Sequence, residues 1–148
     1  MSLLAYVDTS MLVKRYLPEI GSEELEARLV AEQPVLVVSE LAEVELSSAL
    51  RRRLREGFID KSYFDDALDG FRQDIDRGGL RLIALDRACL HRAVSLVRRL
   101  DAPLATLDAL HLATALEHSC EIIFTSDAQL GRASMKTGLA CWPQRPNN

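Results

Sequence analysis

The sequence lacks a cysteine framework. Its three cysteines, Cys89, Cys120 and Cys141, are odd in number and widely spaced, and no CxxC or Cys/His pair has metal-ligand spacing. Buried free thiols in a reducing cytoplasm are therefore expected. The chain also has no uncharged apolar stretch long enough to span a bilayer. Its short N-terminal apolar run has no basic segment before it and is soon interrupted by Asp8, which makes a poor signal peptide. No membrane contact is expected. Nor is there an excess of positive charge. Eighteen Lys and Arg against 22 Asp and Glu leave a net charge of −4. With no overall basic field, a nucleic-acid ligand would need local basic patches or bridging metal ions. Internal repeats, low-complexity tracts and linkers are absent too. What remains is a chain of 148 residues, 48% hydrophobic and 27% charged, which suits a single domain over residues 1–148 with a real core.

Short apolar segments alternate with helical periodicities along the chain. Leu3 to Val7 reads as a buried strand that ends in Asp8-Thr9-Ser10, with Thr9 or Ser10 placed to cap the helix that follows. Ser22 to Glu32 is helical, with Ser22 as a cap. Val35 to Val38 is an all-apolar strand of the kind buried on both faces. Ser39 caps a helix running from Glu40 through Arg55, with Leu41, Val44, Ala49 and Leu50 as its apolar face. Asp60 opens a helix closed by Gly78-Gly79, and Leu80 to Leu85 is a third strand. Asp86 caps a helix whose face is Leu90, Ala93, Val94 and Val97. Leu104 to Glu117 is the most apolar helix, with Thr106 as a possible cap. Glu121 to Phe124 and Gly138 to Trp142 supply two more strands around a helix that Asp127 caps, and the Pro/Asn tail is expected to fray. This alternation indicates an α/β fold, with a central parallel sheet of about five strands covered by helices on both sides.

Four acids share one logic in that frame. Asp8 and Asp127 each follow a strand and precede a helix. Glu45 and Asp108 each lie in the early turns of a helix. In a parallel sheet with right-handed crossovers, these positions gather at one edge. Helix dipoles explain Glu40 and Glu43 well, but Glu45 less well, because it lies one turn from both Leu41 and Ala49. Asp108 has no Lys or Arg within a turn in a helix that reads as buried, so its charge needs a partner. Carboxylates converging there would repel one another unless a cation neutralised them. Hard oxygen ligands favour Mg²⁺ or Mn²⁺.

Val7-Asp8-Thr9-Ser10, Ser39 followed by Glu45-Leu46-Ser47-Ser48-Ala49-Leu50, Asp108-Ala109-Leu110-His111-Leu112-Ala113-Thr114-Ala115, and Thr125-Ser126-Asp127 with Leu130 occur in that order. The set resembles the PIN-domain ribonucleases, and among them the VapC-type toxins of toxin–antitoxin pairs. The resemblance spans nearly the whole chain. It implies a three-layer α/β/α sandwich, a divalent-metal site and metal-dependent cleavage of RNA. It also implies a homodimer and inhibition by a small, VapB-like antitoxin protein. Carried over by position, Asp8, Glu45, Asp108 and Asp127 form the acidic quartet, with Glu43 as the runner-up to Glu45. Thr9, Ser10 and Thr125 or Ser126 become supporting hydroxyls.

Other residues keep two readings. His111 shares a helix face with Asp108 and is either a hydrogen-bonded structural histidine or a ligand or base, the first being favoured. His91 and His118 read as surface residues. Arg51-Arg52-Arg53-Leu54-Arg55 is either a contact for RNA phosphates or an acidic antitoxin segment, or a solvated helix end. Trp142 reads as core, with stacking on a base as its alternative, and Tyr63, Phe64 and Phe71 read as core or a partner-binding face rather than an RNA platform. Two rival functions remain. A phosphatase with Asp8 as nucleophile ranks low, because the chain has no second acid two residues later and no convincing downstream lysine. A non-catalytic module that binds a divalent cation and RNA is the alternative from a different class.

Overall fold

Strand side chains alternate between two cores, and this parity lays out the molecule. Ala5, Val7, Leu36, Val38, Ile122 and Phe124 point into one apolar cluster, while Tyr6, Val37 and Ile123 point into another. The computed structural model describes residues 2–144. Its strands are β1 (Leu4–Val7), β2 (Val35–Ser39), β3 (Arg81–Ile83), β4 (Ile122–Phe124) and β5 (Ala140–Trp142). Its helices are α1 (Thr9–Tyr16), α2 (Ser22–Glu32), α3 (Glu40–Arg55), α4 (Lys61–Asp76), α5 (Arg87–Arg99), α6 (Thr106–Glu117) and α7 (Ala128–Lys136). Helices α1 to α4 cover one face of the sheet through Met11, Leu12, Leu25, Leu46, Leu50 and Phe71. Helices α6 and α7 cover the other through Leu112, Ala115, Leu130 and Ala133, backed by Leu96 and Leu100 of α5. The result is the expected three-layer α/β/α sandwich.

All four strand pairings are parallel, in the order β3-β2-β1-β4-β5. The chain winds outward from β1 to β3 on one side and then returns to lay β4 and β5 on the other. The winding reverses between β1 and β4, the point in an open parallel sheet outside whose strand carboxyl ends ligands gather. The register sets Val7 against Phe124, so the residues after each strand meet at that edge.

Several expectations need correction. Asp8, not Thr9 or Ser10, caps α1: its extended backbone lets the side chain accept the Met11 N–H. Thr9 and Ser10 are the first helical residues, and their hydroxyls are used elsewhere. Gly21, in the left-handed region at φ 95°, stands at the N-cap of α2, and the Ser22 hydroxyl instead accepts the Glu19 N–H. Ala105 begins α6 with no side-chain cap, while Thr106 is exposed. Val44 is 69% exposed, because α3 buries Ala42, Leu46 and Leu50, one turn apart on a different stripe. Helix α5 is rotated likewise. It buries Cys89 and Ala93, the latter packed on Ala109 and Ala113 of α6, where small side chains let the helices approach closely. Leu90, Val94 and Val97 are left in solvent.

Elsewhere the reading stands. Cys89, Cys120 and Cys141 are buried and in no disulfide among the described residues, and His91 is exposed. Phe71 is core, and Trp142 and Phe64 pack on it; Tyr63 departs from the core reading, being 37% exposed with its hydroxyl donating to the Tyr16 carbonyl. Arg51 to Arg55 close α3, where Arg53 stacks on Phe58. Among the described residues, no helix is long and apolar enough to cross a membrane. The tail expected to fray lies mostly at 145–148, outside the described residues.

Candidate active site

Asp8 is the buried centre of the acid cluster, 4% exposed. Its Oδ1 accepts the Met11 N–H at 3.0 Å and the Ser10 hydroxyl at 2.7 Å, and its Oδ2 accepts the Thr125 hydroxyl at 2.6 Å. Ser10 and Thr125 also bind the loops to each other. Ser10 Oγ accepts the Ser126 N–H at 2.9 Å, and Thr125 Oγ1 accepts the Asp127 N–H at 3.0 Å. Burial raises the Asp8 carboxyl above its ordinary value, and the Thr125, Ser10 and Met11 hydrogen bonds, with the His111 ring, offset only part of that.

The other three acids surround this centre. Glu45 turns inward from α3, where its Oε1 accepts the Thr9 hydroxyl at 2.9 Å and meets His111 Nε2 at 2.5 Å. Burial pushes the Glu45 carboxyl up, but the His111 hydrogen bond and charge, together with Thr9, outweigh it and leave it below the ordinary value. Glu43, the runner-up for this position, faces away and pairs with Arg72 of α4. Asp127 caps α7 through Oδ1 alone, which accepts the N–H groups of Gln129 and Leu130 at 2.8 and 3.1 Å. Asp108 stands half-buried in the first turn of α6. Burial pushes its carboxyl up to about 6, and the charges of Asp127, Asp8 and Glu45 add to the rise. Four acids distant in sequence thus sit within reach of one another's fields.

The donor set fits a hard divalent cation. It is entirely carboxylate oxygen, and Asp108 carries the unneutralised repulsion of the other three. Among the described residues no Lys or Arg pairs with any of the four; His111 is the one nitrogen side chain against them, hydrogen-bonded to Glu45. Among the described residues, too, no three metal-ligating side chains are already gathered tightly enough to hold an ion.

Of the supporting hydroxyls, Thr9, Ser10 and Thr125 each donate to an acid of the cluster, while Ser126 joins it through its backbone N–H. Tyr6 was not singled out by the sequence. Its phenol lies 2.5 Å from His111 Nδ1, 105 residues away in the chain. The one available signal was that an odd number of strand positions separates Leu3 from Tyr6, which turns Tyr6 to the face that α6 covers.

A family model of the PIN domain matches residues 5–135. No curated protein sequence matches the chain. Among solved structures, the chain is similar to Mycobacterium tuberculosis VapC20, described as a toxin that cleaves the sarcin–ricin loop, at 19% identity and a TM-score of 0.65, over 87% of this chain and 94% of that one. It is also similar to Rickettsia felis VapBC2 bound to a promoter DNA fragment, at 17% identity and a TM-score of 0.68, over 94% and 97% of the two chains. A toxin–antitoxin complex from Klebsiella pneumoniae matches at 20% identity and a TM-score of 0.63, over 86% and 89%. At such identities the likeness is one of fold.

Proposed function

From the premise that this chain belongs to the PIN-domain family, we propose that it is a metal-dependent endoribonuclease and the toxin of a toxin–antitoxin pair. Residues 1–148 act as one nuclease domain. The observation that carries the reading is the hydroxyl network of Thr9, Ser10 and Thr125 that ties Asp8, Glu45 and the Asp127 loop together at the sheet's reversal point, with Asp108 close enough to feel their charges. Asp8, Glu45, Asp108 and Asp127 would hold Mg²⁺ or Mn²⁺. The chemistry such a cation supplies when bound is activation of water and neutralisation of charge on the phosphodiester oxygens. The protein's own part is to fix the carboxylates. Ser10, Thr125 and the Met11 N–H hold Asp8, Thr9 holds Glu45, and the α7 backbone holds one oxygen of Asp127 while leaving the other outside those bonds. Little reorganisation is then needed when substrate arrives.

Defined RNAs incubated with and without Mn²⁺ test the reading. Cleavage that needs the metal and leaves 5′-phosphate and 3′-hydroxyl ends is expected. Cyclic phosphate ends, or metal binding without cleavage, would count against it, the latter in favour of a non-catalytic module.

The partners follow from the family reading. A small VapB-like antitoxin is supported by the neighbours described as toxin–antitoxin complexes, and co-purification from the native host tests it. A homodimer is supported by the apolar stripe of Leu90, Val94 and Val97, which α5 leaves 45%, 57% and 56% exposed. Sedimentation should show a dimer that Val94→Glu dissociates.

A further inference from the structure

Glu45 is held from behind by a buried relay. Tyr6 is fully buried and His111 is 2% exposed. The Tyr6 phenol meets His111 Nδ1 at 2.5 Å, and His111 Nε2 meets Glu45 Oε1 at 2.5 Å. The two rings pack edge to face, with centroids 5.7 Å apart. An ionised Glu45 only accepts, so Nε2 must carry the proton between them. The phenol has a proton to give, and Nδ1 is then the lone pair that receives it.

We propose that Tyr6 and His111 are positioning residues. The Tyr6 hydroxyl fixes His111 as the Nε2–H tautomer, and that N–H clamps Glu45 Oε1 beside Thr9, so that Oε2 is presented to the ion. The proposal rests on the reading of Glu45 as part of a metal centre. It also closes the alternatives left open for His111. A ring that donates at Nε2 and accepts at Nδ1 has no lone pair left for a metal or a substrate proton. The benefit to Glu45 is conformational. A glutamate has three side-chain torsions to freeze, and two donors on one oxygen freeze them before an ion arrives.

Two measurements test the proposal. Long-range ¹H–¹⁵N spectra of the imidazoles, recorded on the metal-free unaltered protein, should show His111 protonated at Nε2 and bare at Nδ1. Tyr6→Phe should disturb that pattern. Mn²⁺ titration followed by electron paramagnetic resonance should then separate two variants. His111→Leu removes the donor and should weaken binding roughly 10- to 100-fold. His111→Gln places an amide N–H near the position of Nε2 and should restore most of the affinity, which a merely space-filling role would not do. A bare Nε2, an imidazolium, or His111→Gln binding as weakly as His111→Leu overturns the proposal. Unaltered protein that binds no Mn²⁺ overturns instead the metal reading beneath it, whatever the imidazole spectrum shows. Because the spectrum is read on the native chain, a variant that fails to fold does not remove the test.

Discussion

Asp8 and Asp86 hold the same local post. Each follows a strand in extended conformation, and each accepts the N–H three residues ahead at 3.0 Å, from Met11 and from Cys89. There the likeness stops. Asp86 lies in solvent, where the Cys89 N–H lowers its carboxyl below the ordinary value. Asp8 is buried, and burial wins over its hydrogen bonds and raises it. Asp86 serves only its helix. Asp8 also takes hydroxyls from its own helix and from the β4–α7 loop, and its charge reaches Asp108. A strand-to-helix aspartate is a capping device by default. Its company makes it chemical.

The largest test of this contrast is cleavage itself. Asn caps a helix about as well as Asp, so Asp8→Asn and Asp86→Asn should both fold. Asp8→Asn should lose RNA cleavage on the order of 10³-fold, while Asp86→Asn keeps it. Equal activity of the two would erase the distinction. Next comes Thr125→Val, which strips a donor from the buried Asp8 Oδ2 and an acceptor from the Asp127 N–H. A loss of about 1–3 kcal/mol in urea unfolding is expected.

A smaller effect concerns Asp108. Its carboxyl is raised from 3.8 to about 6, so the native state keeps this proton to higher pH than the unfolded chain. Stability of the metal-free protein therefore falls as pH rises from about 4 through about 6, and the penalty stays in full above that. Asp108→Asn should raise the melting temperature at pH 7.5 and leave it unchanged near pH 3. The gain should be about 1 kcal/mol, because solvent screens a half-exposed group. A gain of equal size at both pH values would show that charge is not its source. The smallest effect is Asp60→Asn, an exposed cap outside the cluster, which should move stability by only about a few tenths of a kcal/mol and leave cleavage intact.

Much of this was legible in the sequence because it is local. An apolar run that stops at a hydroxyl and an acid marks the ends of β1, β2 and β4, and five short apolar runs with helices between them leave few topologies. The acids stood out for the same reason. Asp108 lies in a helix with no cation near it, and Glu45 lies on an apolar stripe. What escaped depends on partners far along the chain. Asp8 and Thr9 compete for the cap of α1, and the contest is decided by Glu45, which engages the Thr9 hydroxyl from 36 residues away. The stripe containing Val44 was one turn of choice among several, and α3 settled on Ala42, Leu46 and Leu50 because those meet the sheet. Helix α5 turned to meet alanines of α6, a preference for close approach that hydrophobicity does not encode. Tyr6 looked like any strand aromatic until α6 set His111 against it.

The bond between Asp8 and Thr125 spans 117 residues. During synthesis, the first strand leaves the ribosome long before the partner that completes it. β1 can pair with β2 early, but its other neighbour is β4, and the second hydroxyl on Asp8 arrives only with the loop after it. A product cut short before residue 125 lacks the Thr125 hydroxyl and Asp127. The interleaving of strands thus ties the two halves of the chain together: Asp8 gains its second hydroxyl only once the loop after β4 is in place.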